Sequence, residues 1–218
     1  MSWSKKPEHP DKERGYHHGN LREALVSAAL SLIAEKGAMG FTFAEAARAA
    51  GVSAAAPYRH FRDRDDLIAD VARRGFDELT RALELAWNEG RPDAFTAFEA
   101  VGRAYLTFAR DEPALYSAMF EAGVPLDRSV ELRTAADRAF GVLRLASERL
   151  SARMPEGKRP PALMMSLHMW ALAHGIATLF CRNDGGRRAL PMSPEELVEA
   201  GLLVYLQGLG FNGPAEAR

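Results

Sequence analysis

The chain has 218 residues, 47% hydrophobic and 26% charged, with a formal net charge of −1. That composition sustains a buried core and excludes wholesale disorder, and the balanced charge excludes a whole-molecule field driving the protein onto a polyanion. The single cysteine, Cys181, excludes an internal disulfide and a cysteine-built zinc cage.

Residues 1–13 are polar, carry two prolines and read as a flexible tail, and the start Met1-Ser2-Trp3-Ser4-Lys5-Lys6 lacks the apolar stretch of a signal peptide. Leu21, Leu25, Ala28, Leu32 and Ile33 share one helix face, and Gly37 ends that helix in a left-handed turn. Thr42-Phe43-Ala44-Glu45 is a capping box opening a short helix with small Ala46 and Ala47. Gly51 stops it, Val52 plugs the turn, and Ser53 is placed to cap a helix from Ala54 to Phe61. Asp63 caps a longer helix through Leu67, Ile68, Val71, Phe76, Leu79 and Leu83 as far as Trp87.

Further helices follow. Phe95, Phe98, Val101, Tyr105, Leu106 and Phe108 mark one, Pro113 opens a shorter one, Gly123-Val124-Pro125 breaks the chain, and 130–154 is long and amphipathic. Residues 162–181 hold no Asp, Glu, Lys or Arg over a length that would cross a bilayer. The amphipathic segments around them supply helical partners, so the preferred reading is a buried central helix with no membrane. Residues 183–188 read as a loop, and Ser193-Pro194-Glu195-Glu196 caps a last helix through Leu197, Val204 and Leu206. Strand alternation is absent, giving an all-α protein of nine or so helices.

Residues 42–61 have the spacing of a helix-turn-helix, whose second helix enters the DNA major groove. The charge agrees. Residues 1–64 carry ten Lys/Arg against seven Asp/Glu, and four of the six histidines. A polyanion partner therefore belongs at this end.

Tyr16-His17-His18-Gly19-Asn20-Leu21-Arg22, Thr42-Phe43-Ala44-Glu45-Ala46-Ala47, Ala50-Gly51-Val52-Ser53 and Tyr58-Arg59-His60-Phe61, with Arg64 and Leu67, resemble the N-terminal domain of the tetracycline-repressor (TetR) family. The likeness covers roughly residues 14–75. Trp170-Ala171-Leu172-Ala173-His174-Gly175 resembles the Trp-x-x-x-His-Gly motif of one branch. The resemblance implies an all-α homodimer. Residues 14–64 would form a three-helix DNA-binding domain, and 65–211 a helical ligand-binding and dimerisation domain. It implies a cytoplasmic repressor, released from a palindromic double-stranded operator by a small apolar effector.

Residue roles follow from the same likeness. Thr42 would donate to a phosphate, Ser53, Tyr58 and His60 occupy phosphate-contacting positions, and Arg64 stands where lysine is commoner. Arg14, His17 and His18 would add backbone contacts. The expected recognition helix runs Ala54-Ala55-Ala56-Pro57, with Arg59 its one long polar donor. Methyl and ring surfaces there permit thymine contacts but no bidentate readout of guanine or adenine. Specificity then rests on DNA shape and half-site spacing.

Trp170 and His174 lie four apart on one helix face, and Tyr105, Phe108, Tyr116, Met119, Phe120 and Met165 are candidates to converge on them as an apolar ligand pocket. The alternative for each is plain core packing. No cofactor and no metal are expected: His168 and His174 point to different faces, and Cys181 is about two turns, roughly 10 Å, from His174. Gly208-x-Gly210-x-x-Gly213 lacks the strand and helix of a dinucleotide site. Segments 162–181 and 194–208, with Leu197, Gly201, Val204, Tyr205 and Gly208 on a stripe, are expected to form a four-helix dimer interface. No Gly-x-Ser-x-Gly elbow, P-loop or His-Glu-x-x-His pair marks an enzyme. A carrier with an incidental helix-turn-helix remains the rival reading.

Overall fold

Side-chain caps and left-handed glycines cut the chain into helices. The computed structural model describes residues 21–181 and 191–211. Within them lie α1 (Leu21–Lys36), α2 (Phe43–Ala49), α3 (Arg64–Trp87), α4 (Ala94–Asp111), α5 (Pro113–Phe120), α6 (Val130–Ser151), α7 (Ala162–Ile176) and α8 (Pro194–Gly208), with no strand. Gly37 and Gly51 take φ of +78° and +71° as the turns require. The Thr42/Glu45 and Ser193/Glu196 capping boxes form, and Asp63 accepts from the Asp66 amide. Asp93 and Ser129, not singled out in the sequence, cap α4 and α6. The expected tail 1–13, the loop 183–188, Gly213 and the candidates Arg14, His17 and His18 fall outside the described residues.

One expected element is different. In place of a helix from Ala54 to Phe61 there is a four-residue 3₁₀ turn, Ala56–Arg59. Ser53 does not cap it with its side chain; its carbonyl accepts from the Ala56 amide at 3.0 Å. Pro57 is the cause. It has no N–H to return to the Ser53 carbonyl, so the first α-helical bond is missing and the chain tightens into i→i+3 bonds. The His60 amide then donates to the Pro57 carbonyl at 2.9 Å.

α3 is the spine. It packs against α1, α4, α5 and α6, and its Leu67, Ile68, Val71, Phe76, Leu79 and Leu83 join one continuous buried core. Asp70, 5% exposed, binds Arg22 of α1 at 3.2 Å and Arg73 at 3.1 Å. Arg74 reaches Glu23, closing the same seam. α1 also packs on α5.

α7 lies against α6, α4 and α8 and buries Met165, Met169, Ala173 and Ile176. Its buried Ser166 donates to the Ala162 carbonyl at 2.8 Å and lies 3.1 Å from Ser147 Oγ of α6, so no hydroxyl is stranded. The helix passes into a π turn, Ala177–Cys181. Residues 162–181 are long and apolar enough to cross a membrane, and only a third of that stretch is buried inside the protein, so the expected buried central helix is packed on one side only. Gly201 corrects the expected stripe: a Cβ there would stand 2.9 Å from Leu172. Its smallness seats α8 on α7 of the same chain. Leu163, Leu167 and Leu179 of the α7 segment, and Leu203 and Val204 of α8, remain exposed.

Candidate nucleic-acid interface and ligand cavity

The turn after α2 is the exposed edge of the N-terminal helices. Ser53, Ala54, Ala55, Tyr58, Arg59 and His60 all face solvent, with Tyr58 64% exposed. The Tyr58 ring stands edge-on to Phe43 at 5.1 Å, which braces the turn against α2. Ala54 and Ala55 offer only methyl groups.

Charge pairing singles out the cations left for a polyanion. Arg22 is held by Asp70, Lys36 by Glu45 at 2.9 Å, and Arg62 by Asp66 at 2.6 Å. Arg48, exposed in the last turn of α2, and Arg59 have no ion pair among the described residues. Sequence reasoning misses Arg48. Its signal is present as the one basic side chain on the outer face of α2, but its freedom depends on which acids its neighbours capture.

Three expected DNA contacts change role. Arg64 donates from Nε to the Phe41 carbonyl at 2.8 Å, from Nη2 to the Ala38 carbonyl, and lies over the Phe41 ring. It laces the α1–α2 connection to α3 and is not free for phosphate. Pro57 is buried and presents no surface to DNA. The Thr42 hydroxyl donates to Glu45 Oε2 at 2.9 Å while accepting from the Glu45 amide, so its proton is spent on the cap. Glu45 stays ionised there, held down to about 2 by the Lys36 hydrogen bond and the Thr42 donors.

A cavity of about 410 Å³ opens between α3, α4, α5, α6 and α7. Trp170, Tyr105, Met119 and Phe120, all expected, line it. Phe76, Leu79 and Leu83 of α3, Val124 and Leu126 of the α5–α6 connection, and Asp137, Phe140 and Leu143 of α6 line it too. Those are legible as core periodicity, but helix spacing does not tell filled core from the wall of a void. Phe108 and Met165 are corrections. Met165 is fully buried in packing, and Phe108 faces a separate shallow groove between α3 and α4.

His174 and Tyr116 stand behind the wall. His174 Nδ1 lies 2.9 Å from the Tyr105 hydroxyl and 3.0 Å from that of Tyr116, which is 3.1 Å from Thr178 Oγ1 in the π turn. One assignment satisfies all of them: with the imidazole proton on Nε2, Tyr105 and Tyr116 both donate toward Nδ1 and Thr178 donates to the Tyr116 oxygen. Burial pushes both phenols up, so they stay protonated. Burial also holds the imidazole below its ordinary value, against the opposing charge of Glu121. The cluster is thus a neutral hydrogen-bonded post joining α4, α5 and α7 beside the cavity.

Residues 25–71 match the family described as bacterial regulatory proteins, tetR family, and residues 98–205 match the tetracyclin repressor-like C-terminal domain. The HTH-type transcriptional regulator BetI of Brucella abortus (strain 2308) is 30% identical over 135 residues, 61% of this chain and 68% of that one. The chain belongs to the TetR family. It is a ligand-responsive DNA-binding transcriptional regulator, with its helix-turn-helix at the N-terminal end. A solved protein of unknown function from Rhodococcus sp. RHA1 superposes with a TM-score of 0.73 at 32% identity, over 91% of this chain and all of that one. The TetR family regulator PfmR from Thermus thermophilus, at 20% identity, shares the fold over 84% of this chain and 97% of its own, with a TM-score of 0.64. In this TetR protein the exposed turn 53–60 is the second half of the helix-turn-helix, and α3 joins it to the cavity.

Proposed function

We propose that this TetR protein is a homodimeric repressor that leaves a palindromic operator when a small, mainly apolar molecule fills the cavity. Ser53, Ala54, Ala55, Tyr58, Arg59 and His60, joined by Arg48, face DNA, and Arg14, His17 and His18, which precede α1 in the sequence, add backbone contacts. Residues 14–64 read DNA, and 65–211 hold the effector and pair the subunits. The protein works in the cytoplasm, without metal, cofactor or enzymatic step. Two copies meet through 162–181 and 194–208, where the exposed Leu163, Leu167, Leu179, Leu203 and Val204 await cover.

The observation that carries this reading is the pair of arginines without an ion pair among the described residues, Arg59 in the exposed turn and Arg48 on α2 before it. A route from cavity to turn supports it. Leu126 lines the cavity, and two residues on Arg128 donates to Asp66 Oδ1 at 2.6 Å and to Asp63 at 2.6 and 2.7 Å. Asp63 caps α3 directly behind the turn. An effector that displaces Leu126 pulls Arg128 from the cap and changes the pose of the turn. DNA affinity then falls by the effector's preference for the displaced state, about 1–3 kcal/mol in typical cases.

Selection of duplexes from a random-sequence pool tests the function. The expected product is a palindrome with half-sites about one helical turn, ~34 Å, apart. Enrichment of no sequence, with the cavity still taking an apolar dye, would favour a carrier instead.

A further inference from the structure

Among the fifteen residues lining the cavity there is no Lys, Arg or His, and the one charged group is Asp137. Asp137 is exposed at the wall and forms no ion pair among the described residues. The cations near it are elsewhere engaged or apart. Arg138 donates to Asp77 at 2.6 Å, Arg73 is divided between Asp70 and Asp77, and Arg133, one turn earlier on α6, forms no pair with it. Aromatic side chains make up much of the rest of the wall: Phe76, Phe120, Phe140, Trp170 and Tyr105. A cation is compatible with such rings and with Asp137, whereas an anion finds no basic partner on this wall.

We propose that the effector is an amphiphile with a cationic head, its apolar body against Phe76, Phe120, Phe140 and Trp170 and its ammonium group at the mouth beside Asp137. This rests on the reading of the cavity as the effector site. A carboxylate-headed ligand would bring its charge toward Asp137 and is selected against. A neutral ligand of the same body gains the apolar contacts alone.

Calorimetric titration of the full chain with decylammonium, decanol and decanoate, each below its micelle concentration, separates these cases. The expected order is decylammonium, decanol, decanoate. Asp137 is worth about a three- to fivefold preference for the ammonium, the size of an exposed ion pair. Asp137→Asn, at an exposed site, removes that preference and leaves decanol binding unchanged, and Asp137→Glu keeps it. Equal affinities for the three heads, tighter binding of decanoate, or an ammonium preference that survives Asp137→Asn would overturn the cationic head while leaving the cavity as the effector site. Binding of none of the three, decanol included, would overturn the cavity itself as that site.

Discussion

Arg59 and Arg64 look alike in the sequence and differ only in their surroundings. Arg59 is exposed and unpaired; Arg64 is folded back onto two backbone carbonyls and a ring. Arg64→Ala is expected to cost about 2 kcal/mol of stability, since charged hydrogen bonds to buried carbonyls are lost. Arg48→Ala and Arg59→Ala are expected to leave the urea midpoint where it is. His174 gives a second residue-scale prediction. Its folded value lies below the ordinary 6.5, so the unfolded chain takes up the proton first. Its contribution is whole above 6.5 and is lost as pH falls from there through the folded value. Urea midpoints at pH values about one unit above and one below that ordinary value should therefore differ more for the natural protein than for His174→Asn. An equal difference in both would remove the buried neutral imidazole from the account. The site is half legible in the sequence at this scale. Residue type and spacing mark Tyr58, Arg59, Trp170 and Tyr105, but the ion-pair partners are set by distant chain. That is why the sequence hides Arg48 and points Arg64 at phosphate.

Elements are more legible than residues. Caps and glycines are local signals, and they place the ends of α2, α3, α5 and α8 close to where the sequence puts them. The recognition segment departs because one residue outweighs the pattern: Pro57 denies the first helical bond, and alanine propensity around it does not restore it. The cavity is not legible as a space. The stripe Phe76, Leu79, Leu83 predicts a buried face of α3, and only the meeting of five elements leaves a void beside it. The Arg128 link belongs to this scale too. Arg128→Ala should speed hydrogen exchange at the Arg62 and Asp66 amides about fivefold, the effect of losing roughly 1 kcal/mol from the α3 cap, with α8 amides unchanged. Unaltered exchange at Arg62 and Asp66 would remove Arg128 from the route between cavity and turn.

The whole molecule presents two unfinished surfaces, the turn 53–60 with Arg48 and Arg59, unpaired among the described residues, and the outer faces of α7 and α8. The second is expected to bind a second copy, because each isolated chain leaves Leu179 and Val204 both 70% exposed. Leu179→Glu with Val204→Glu should yield a monomer in sedimentation, while the helical content stays. A persistent dimer would place the interface elsewhere. The charge of the molecule is near zero, so DNA binding depends on local cations alone. Each phosphate neutralised adds about one to the slope of log affinity against log salt. The most direct measurement is that slope, on a selected duplex, for the natural protein and for the Arg48→Ala, Arg59→Ala double variant. Two subunits each losing two phosphate contacts should flatten the slope by about four. An unchanged slope would contradict the assignment of this face to DNA.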